Sequence, residues 1–94
     1  MSPAMLMHPE DNVAMALRDL AAGETVRLER AQGALEIVLR EAIALCHKFA
    51  VTDMAAQTPV RKYGQTIGAA SADIAAGSHV HVHNLVSLRA RPAR

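Results

Sequence analysis

An eleven-residue pattern occurs three times in this chain, and it restricts the fold more than any other feature. The copies are "ALRDLAAGETV" at 16–26, "AVTDMAAQTPV" at 50–60 and "ASADIAAGSHV" at 70–80. Each reads Ala-x-x-Asp, an aliphatic residue, Ala-Ala, Gly or Gln, two variable positions and Val. The aspartate is expected to cap a single helical turn, the alanine pair to let that turn pack closely, and the glycine to supply a left-handed residue that sends the chain into a strand. Gln57, standing where the other copies have glycine, implies a more strained or differently shaped exit. The copies start 34 and then 20 residues apart, too irregular for a solenoid of fixed period. The expectation is a compact, mostly β single domain with internal pseudo-symmetry and short single-turn helices.

A chain of 94 residues folds around a modest core. Just over half of it is hydrophobic, but with nineteen alanines, one Phe, one Tyr and no Trp the apolar area per core side chain is low. A larger partner, or a homo-oligomer, would cover more surface. A net charge of +1 without a basic face or stacking aromatics argues against a nucleic-acid partner. The basic stretch 89–94 contains Pro92 and reads as a tail beyond a domain spanning 1–88. Residues 1–7 are apolar but too short to span a membrane and lack the pattern of a signal peptide, so a cytoplasmic protein without membrane contact is expected. Cys46 is the one cysteine, which rules out an intrachain disulfide. It is expected as a small buried hydrophobe rather than a nucleophile, because its neighbour His47 would leave a strand on the opposite face.

Strands are expected near 4–8, 12–18, 25–29, 35–39, 46–51, 60–63, 67–71 and 79–85. The segment "GALEIVLREAIAL" at 33–45 also has apolar spacing that fits an amphipathic helix, but a turn-like Gln32-Gly33 ahead of Glu36-Ile37-Val38-Leu39 favours a strand in its first half.

Four clusters bear chemistry. In "GSHVHVHNL" at 77–85, His79, His81 and His83 alternate with Val80 and Val82, so an extended strand puts the three imidazoles on one face. Two of them, at i and i+2, can chelate one divalent ion, whereas the third lies roughly 13 Å from the first by strand rise, so further ligands must come from elsewhere. The plain alternative is a strand with partly exposed histidines. "CHKFA" at 46–50 places His47 with Phe49 and Lys48 opposite them, either as a solvated charge or as an ammonium for a carboxylate substrate. "RKYGQTIG" at 61–68 brings Arg61, Lys62 and Tyr63 beside a tight connection at Gly64 and Gln65, which reads as an anion-binding rim or simply a basic hairpin. No phosphate-binding loop follows. "HPEDN" at 8–12 is a turn, explained by Pro9, Asp11 and Asn12 without any function, its carboxylates expected in solvent.

In combination, "HPEDNVAMAL", "CHKFAVTDMA" and "VRKYGQTIGAASADIAAGSHVHVHNL" resemble the small N-terminal domain of the altronate and galactarate dehydratase family, a SAF-type domain with a β-clip fold. The resemblance runs from about His8 to Leu85. It implies a metal-dependent hydro-lyase that removes water from a sugar acid to give a 2-keto-3-deoxy acid, with iron or manganese as the divalent metal. Family members carry this domain fused to a large catalytic domain or as a separate small subunit. A chain ending at Arg94 looks like the latter, so a large subunit is the expected partner, sharing or holding the metal, and the isolated chain is expected to be inactive. The resemblance further implies catalytic contributions from His47, Lys48, Lys62, Tyr63 and His83, substrate contacts from Arg61, Gly64, Gln65 and Asn84, and metal contact from His79 and His81. The small subunit of sulfolactate sulfo-lyase shares this organisation and is the alternative within the class. A non-catalytic SAF module that binds carbohydrate or protein, and a domain that merely dimerises through apolar strands, are the alternatives outside it.

Overall fold

The computed structural model describes residues 3–30 and 33–87. Nine strands make it up: β1 Ala4–Met5, β2 Val13–Ala16, β3 Thr25–Leu28, β4 Leu35–Val38, β5 Lys48–Ala50, β6 Pro59–Lys62, β7 Gln65–Ala70, β8 His79–Val80 and β9 Leu85–Ser87. They form a four-stranded sheet in the order β1-β2-β5-β8, a β3-β4 ribbon and a three-stranded sheet β6-β7-β9. All pairings are antiparallel. No helix occurs among the described residues.

The repeated pattern does not form helical turns. In each copy the alanine carbonyl accepts from the N–H three residues on, as in Glu24 to Ala21, Thr58 to Ala55 and Ser78 to Ala75, each at 3.1 Å. The third residue of each turn has positive φ, 83° at Gly23, 77° at Gln57 and 88° at Gly77, which marks a type II turn. At Gly77 the glycine is also required by space, since a Cβ would lie 2.3 Å from the Val38 carbonyl oxygen.

A fourth copy, hidden by divergence, occupies 39–49, "LREAIALCHKF". It makes the same turn, His47 N–H to Ala44 carbonyl at 2.9 Å, with Cys46 in the left-handed position at φ 70°. Cys46 is therefore exposed rather than buried, because the third residue of such a turn faces outward.

The four copies interlock in pairs. Gly23 donates to Leu39, the first residue of the copy at 39–49, and Cys46 donates to Ala16, the first residue of the copy at 16–26. Gln57 donates to Ala70 and Gly77 to Ala50 in the same reciprocal way. Isolated bridges between Leu20 and Ile43 and between Met54 and Ile74 mark the two pseudo-dyads. The repeated aspartates do not cap their own turns either. Asp53 Oδ1 accepts from Ala76 N–H and Asp73 Oδ1 from Ala56 N–H, stapling one copy to its mate, and Asp19 Oδ1 does the same for Leu45 N–H.

Each clip has its own core. Phe49, Leu28, Leu39, Ile43, Val26 and Leu20 fill the first, and Val13, Val60, Met54, Ile74, Val80 and Ala70 the second. Alternation along β2 and β5 sends Ala14 and Phe49 to one and Val13 and Ala50 to the other, so the four-stranded sheet separates the two cores.

Candidate functional site

The segment 79–85 is not one strand. β8 stops at Val80 and residues 81–84 form a turn, Asn84 N–H donating to the His81 carbonyl at 3.0 Å. Asn84 closes it with its own amide: Oδ1 accepts from His81 N–H at 2.9 Å and Nδ2 donates to the His79 carbonyl at 2.8 Å. A short amide that satisfies the backbone locally competes with the ladder, and Val82, 82% exposed, adds no burial that would hold an extended strand.

This turn changes which histidines meet. β5 and β8 pair Lys48 with Val80 and Phe49 with His79, and one more step of that register sets His47 opposite His81. His47 Nδ1 and His79 Nε2 share a hydrogen bond at 2.9 Å. Ring centroids lie 5.0 Å apart for His47 with His79 and with His81, 5.4 Å for His79 with His81, and 5.5 Å for His79 with His83. The first and third histidines of the stripe are thus far closer than strand rise allows, because the backbone folds back between them. One ligand nitrogen from each of His47, His79 and His81 lies within 4.8 Å of the others. Ligands of a single ion with metal–nitrogen bonds of about 2.0–2.1 Å sit about 3–4 Å apart, so a small closure of these rings fits a metal. Burial and then the neighbouring imidazoles His47, His81 and His83 hold the His79 pKa below the usual histidine range, with Glu41 pulling the other way. Glu41 Oε2 itself accepts from the His79 backbone N–H at 3.0 Å.

Lys48 follows His47 and is half-buried. Its pKa is depressed, mainly by burial and further by the charge of Lys62. Lys62 ends β6, its Nζ 5.4 Å from the Tyr63 ring centroid. Tyr63 and Gly64, at φ 56° and 74°, form the tight hairpin turn into β7. Lys48 thus lies near the basic hairpin, on the face of β5 opposite Phe49. Arg61 and Gln65 are exposed on that hairpin, whereas the amide of Asn84 is committed to the turn.

What sequence reasoning missed is the scaffold under the hairpin. Asp11 is buried, not solvated: Oδ2 accepts from Tyr63 N–H at 2.9 Å and Oδ1 from Gly64 N–H at 2.8 Å. Asn12 accepts from Arg61 N–H and donates to the Pro59 carbonyl, both at 2.8 Å. His8 lies beneath the turn, where a Cβ on Gly64 would come within 2.8 Å of its ring. An Asp-Asn pair before a strand was the visible signal, but its target is about fifty residues away.

The histidines and lysines lie on open surface, and the two shallow hollows near Val38 and Met54 contain none of them. No helix among the described residues is long and apolar enough to cross a membrane.

The model of the altronate/galactarate dehydratase SAF domain matches residues 2–88. The chain belongs to this family. It is 51% identical over 78 residues to altronate dehydratase of Escherichia coli (strain K12) and 41% identical over 78 residues to that of Bacillus subtilis (strain 168). Each match covers 83% of this chain but 15% of the relative, so this SAF domain spans a small part of those enzymes. The (2R)-sulfolactate sulfo-lyase subunit alpha of Chromohalobacter salexigens is 40% identical over 55 residues, covering 58% of each chain. The basic tail 89–94 lies outside the described residues.

Proposed function

We propose that this SAF domain is the small subunit of a metal-dependent hydro-lyase that dehydrates an altronate- or galactarate-type sugar acid to a 2-keto-3-deoxy acid, working in the cytoplasm with a separate large catalytic subunit. The observation that carries the reading is the convergence of His47, His79 and His81 in a domain 51% identical over 78 residues to a region of an altronate dehydratase, with Lys48 following His47 in the chain and feeling the charge of Lys62.

Elimination beside a carboxylate needs a base for the α-proton, an electrophile for the resulting enediolate and an acid for the departing hydroxyl. A divalent ion held by His47, His79 and His81, iron or manganese in this reading, would supply the electrophile. Lys48, Lys62 and Arg61 hold the carboxylate by charge-assisted hydrogen bonds, and the depressed pKa of Lys48 lets it exchange a proton more readily than a free lysine. Tyr63 and Gln65, exposed beside them, meet the hydroxyl groups. His83, whose ring lies 5.5 Å from that of His79, would hand a proton to the leaving oxygen. An open surface offers one wall of a site, which supports the need for a larger partner.

The test is reconstitution. The chain alone should not turn over altronate or galactarate, and adding the large subunit with iron or manganese should give turnover. His81→Gln with His83→Gln should leave the complex assembled and remove most of its activity. Robust turnover by the small chain alone, or full activity of the double variant, would overturn the reading. The likeness to a protein named as a sulfo-lyase subunit favours a second reading, in which sulfite leaves from sulfolactate. Sulfite release by the same reconstituted complex, without dehydration of sugar acids, would select it.

A further inference from the structure

We infer that this chain by itself is a receptor for one first-row transition ion, bound by His47, His79 and His81, and that it discriminates against magnesium and calcium. The inference concerns the chain's own donor set and stands whether or not the dehydratase reading does.

Three observations carry it. The first is convergence: two imidazoles from β8 and its turn and one from the residue before β5 bring ligand nitrogens within 4.8 Å of one another. Sequence spacing alone offered only the stripe on β8, and it is the β5–β8 register that recruits His47.

The second is donor chemistry. All three donors are imidazole nitrogens, which suit zinc, iron, nickel and copper, whereas magnesium and calcium favour carboxylates, carbonyls and water. The nearby carboxylate, Glu41, is turned to the backbone N–H of His79. Four imidazoles crowd together here, with neighbouring ring centroids 5.0 to 5.5 Å apart. The proton now shared between His47 Nδ1 and His79 Nε2 moves to the other nitrogen of its own ring when an ion binds, freeing both lone pairs without a change in total charge.

The third is support. Backbone groups of the ligands are pinned by side chains that do not ligate: Glu41 on His79 N–H, and Asn84 on His81 N–H and the His79 carbonyl. Such partners hold ligands in place before the ion arrives. Because His81 is exposed, the remaining coordination positions open to solvent, which is the arrangement of a catalytic rather than a purely structural site.

The test uses the full chain, stripped of metal, titrated calorimetrically with Zn2+ and Co2+ and separately with Mg2+ and Ca2+. Saturable one-to-one binding of Zn2+ and Co2+ is expected, with no comparable heat from Mg2+ or Ca2+. His47→Gln, His79→Gln and His81→Gln should each weaken Zn2+ binding by more than roughly a hundredfold, exceeding the loss typical of changing a group that only orients a ligand. His8→Gln, in the histidine beneath the hairpin turn, should bind as the unaltered chain does. Imidazole 15N shifts of the unaltered chain provide a check independent of variant folding: Zn2+ should move His47, His79 and His81 together. Binding that never saturates, an equal response to Mg2+, a His47→Gln variant that retains full affinity, or a Zn2+ spectrum that leaves His47 unmoved would each overturn the inference. A chain that binds Zn2+ in this way yet gives no turnover in the reconstituted complex would instead overturn the dehydratase reading and leave this one standing.

Discussion

In the clip built from 50–60 and 70–80, Asp53 and Asp73 exchange hydrogen bonds across the pseudo-dyad, each holding a backbone N–H of the other copy's turn. The clip built from 16–26 and 39–49 has the same turns and the same reciprocal backbone bonds, but Asp19 works alone because the matching position is Ala42. The copy that lost its aspartate also has Cys46 where glycine is preferred, and its exit carries His47 and Lys48. Local rules of the repeat are broken in the copy that delivers the candidate chemistry, as is common where a site rather than the fold selects the residue. The histidine cluster then forms where this divergent exit pairs with the exit of 70–80, in β5 against β8.

The comparison breaks most visibly in the cores. Phe49→Ala should cost about 4 kcal/mol, because a fully buried aromatic leaves a cavity in the first core, and Val60→Ala about 2 kcal/mol in the second. Denaturant unfolding with an unchanged m-value checks both. Equal losses would mean that the second core depends on Val60 as much as the first does on its one aromatic ring.

Next come the staples. Asp53→Ala with Asp73→Ala should cost about 2 kcal/mol and Asp19→Ala about 1 kcal/mol, from hydrogen bonds to exposed carboxylates. Ala42→Asp should recover a few tenths of a kcal/mol to about 1 kcal/mol by supplying the missing reciprocal bond to the turn of 16–26. Loss of stability in that variant would show that the two clips differ in more than this one carboxylate.

The left-handed positions are finer probes. Cys46→Gly and Gln57→Gly should each stabilise by about 0.5 kcal/mol, relief of a left-handed side chain being offset by the entropy of an unfolded glycine. Thermal melts resolve that difference, and a clear fall in melting temperature at either position would mean that its side chain contributes contacts outweighing the strain.

The smallest effect concerns pH. Lys48 has a lowered pKa in the folded chain, so the folded state binds fewer protons there than the unfolded state in the alkaline window between the depressed value and the ordinary lysine value near 10.5. Its burial penalty is fully present below that window and is relieved as pH rises through it, so stability gains from this group on going from neutral to alkaline pH. Lys48→Met should abolish that gain and make the chain slightly more stable at neutral pH. An unchanged pH profile in Lys48→Met would contradict the burial assigned to this ammonium.

Much of this protein could be read from the chain by itself. The repeated Asp-aliphatic-Ala-Ala-Gly pattern gave the places where the chain turns and the internal symmetry, though not the kind of turn, alternating apolar residues gave most strands, and the ordered motifs led to the family. These are local signals, set by backbone preferences and side-chain period over a few residues. The fourth copy stayed hidden because Ala42 and Cys46 erase both of its diagnostic residues, although its hydrogen bonds are those of the others. Which groups the aspartates hold, why Asp11 is buried, and how His47 comes to stand against His79 and His81 were decided by tertiary structure. Each depends on pairing across roughly 20 to 50 residues of chain, and spacing along a sequence carries no record of which distant backbone N–H or ring will arrive opposite.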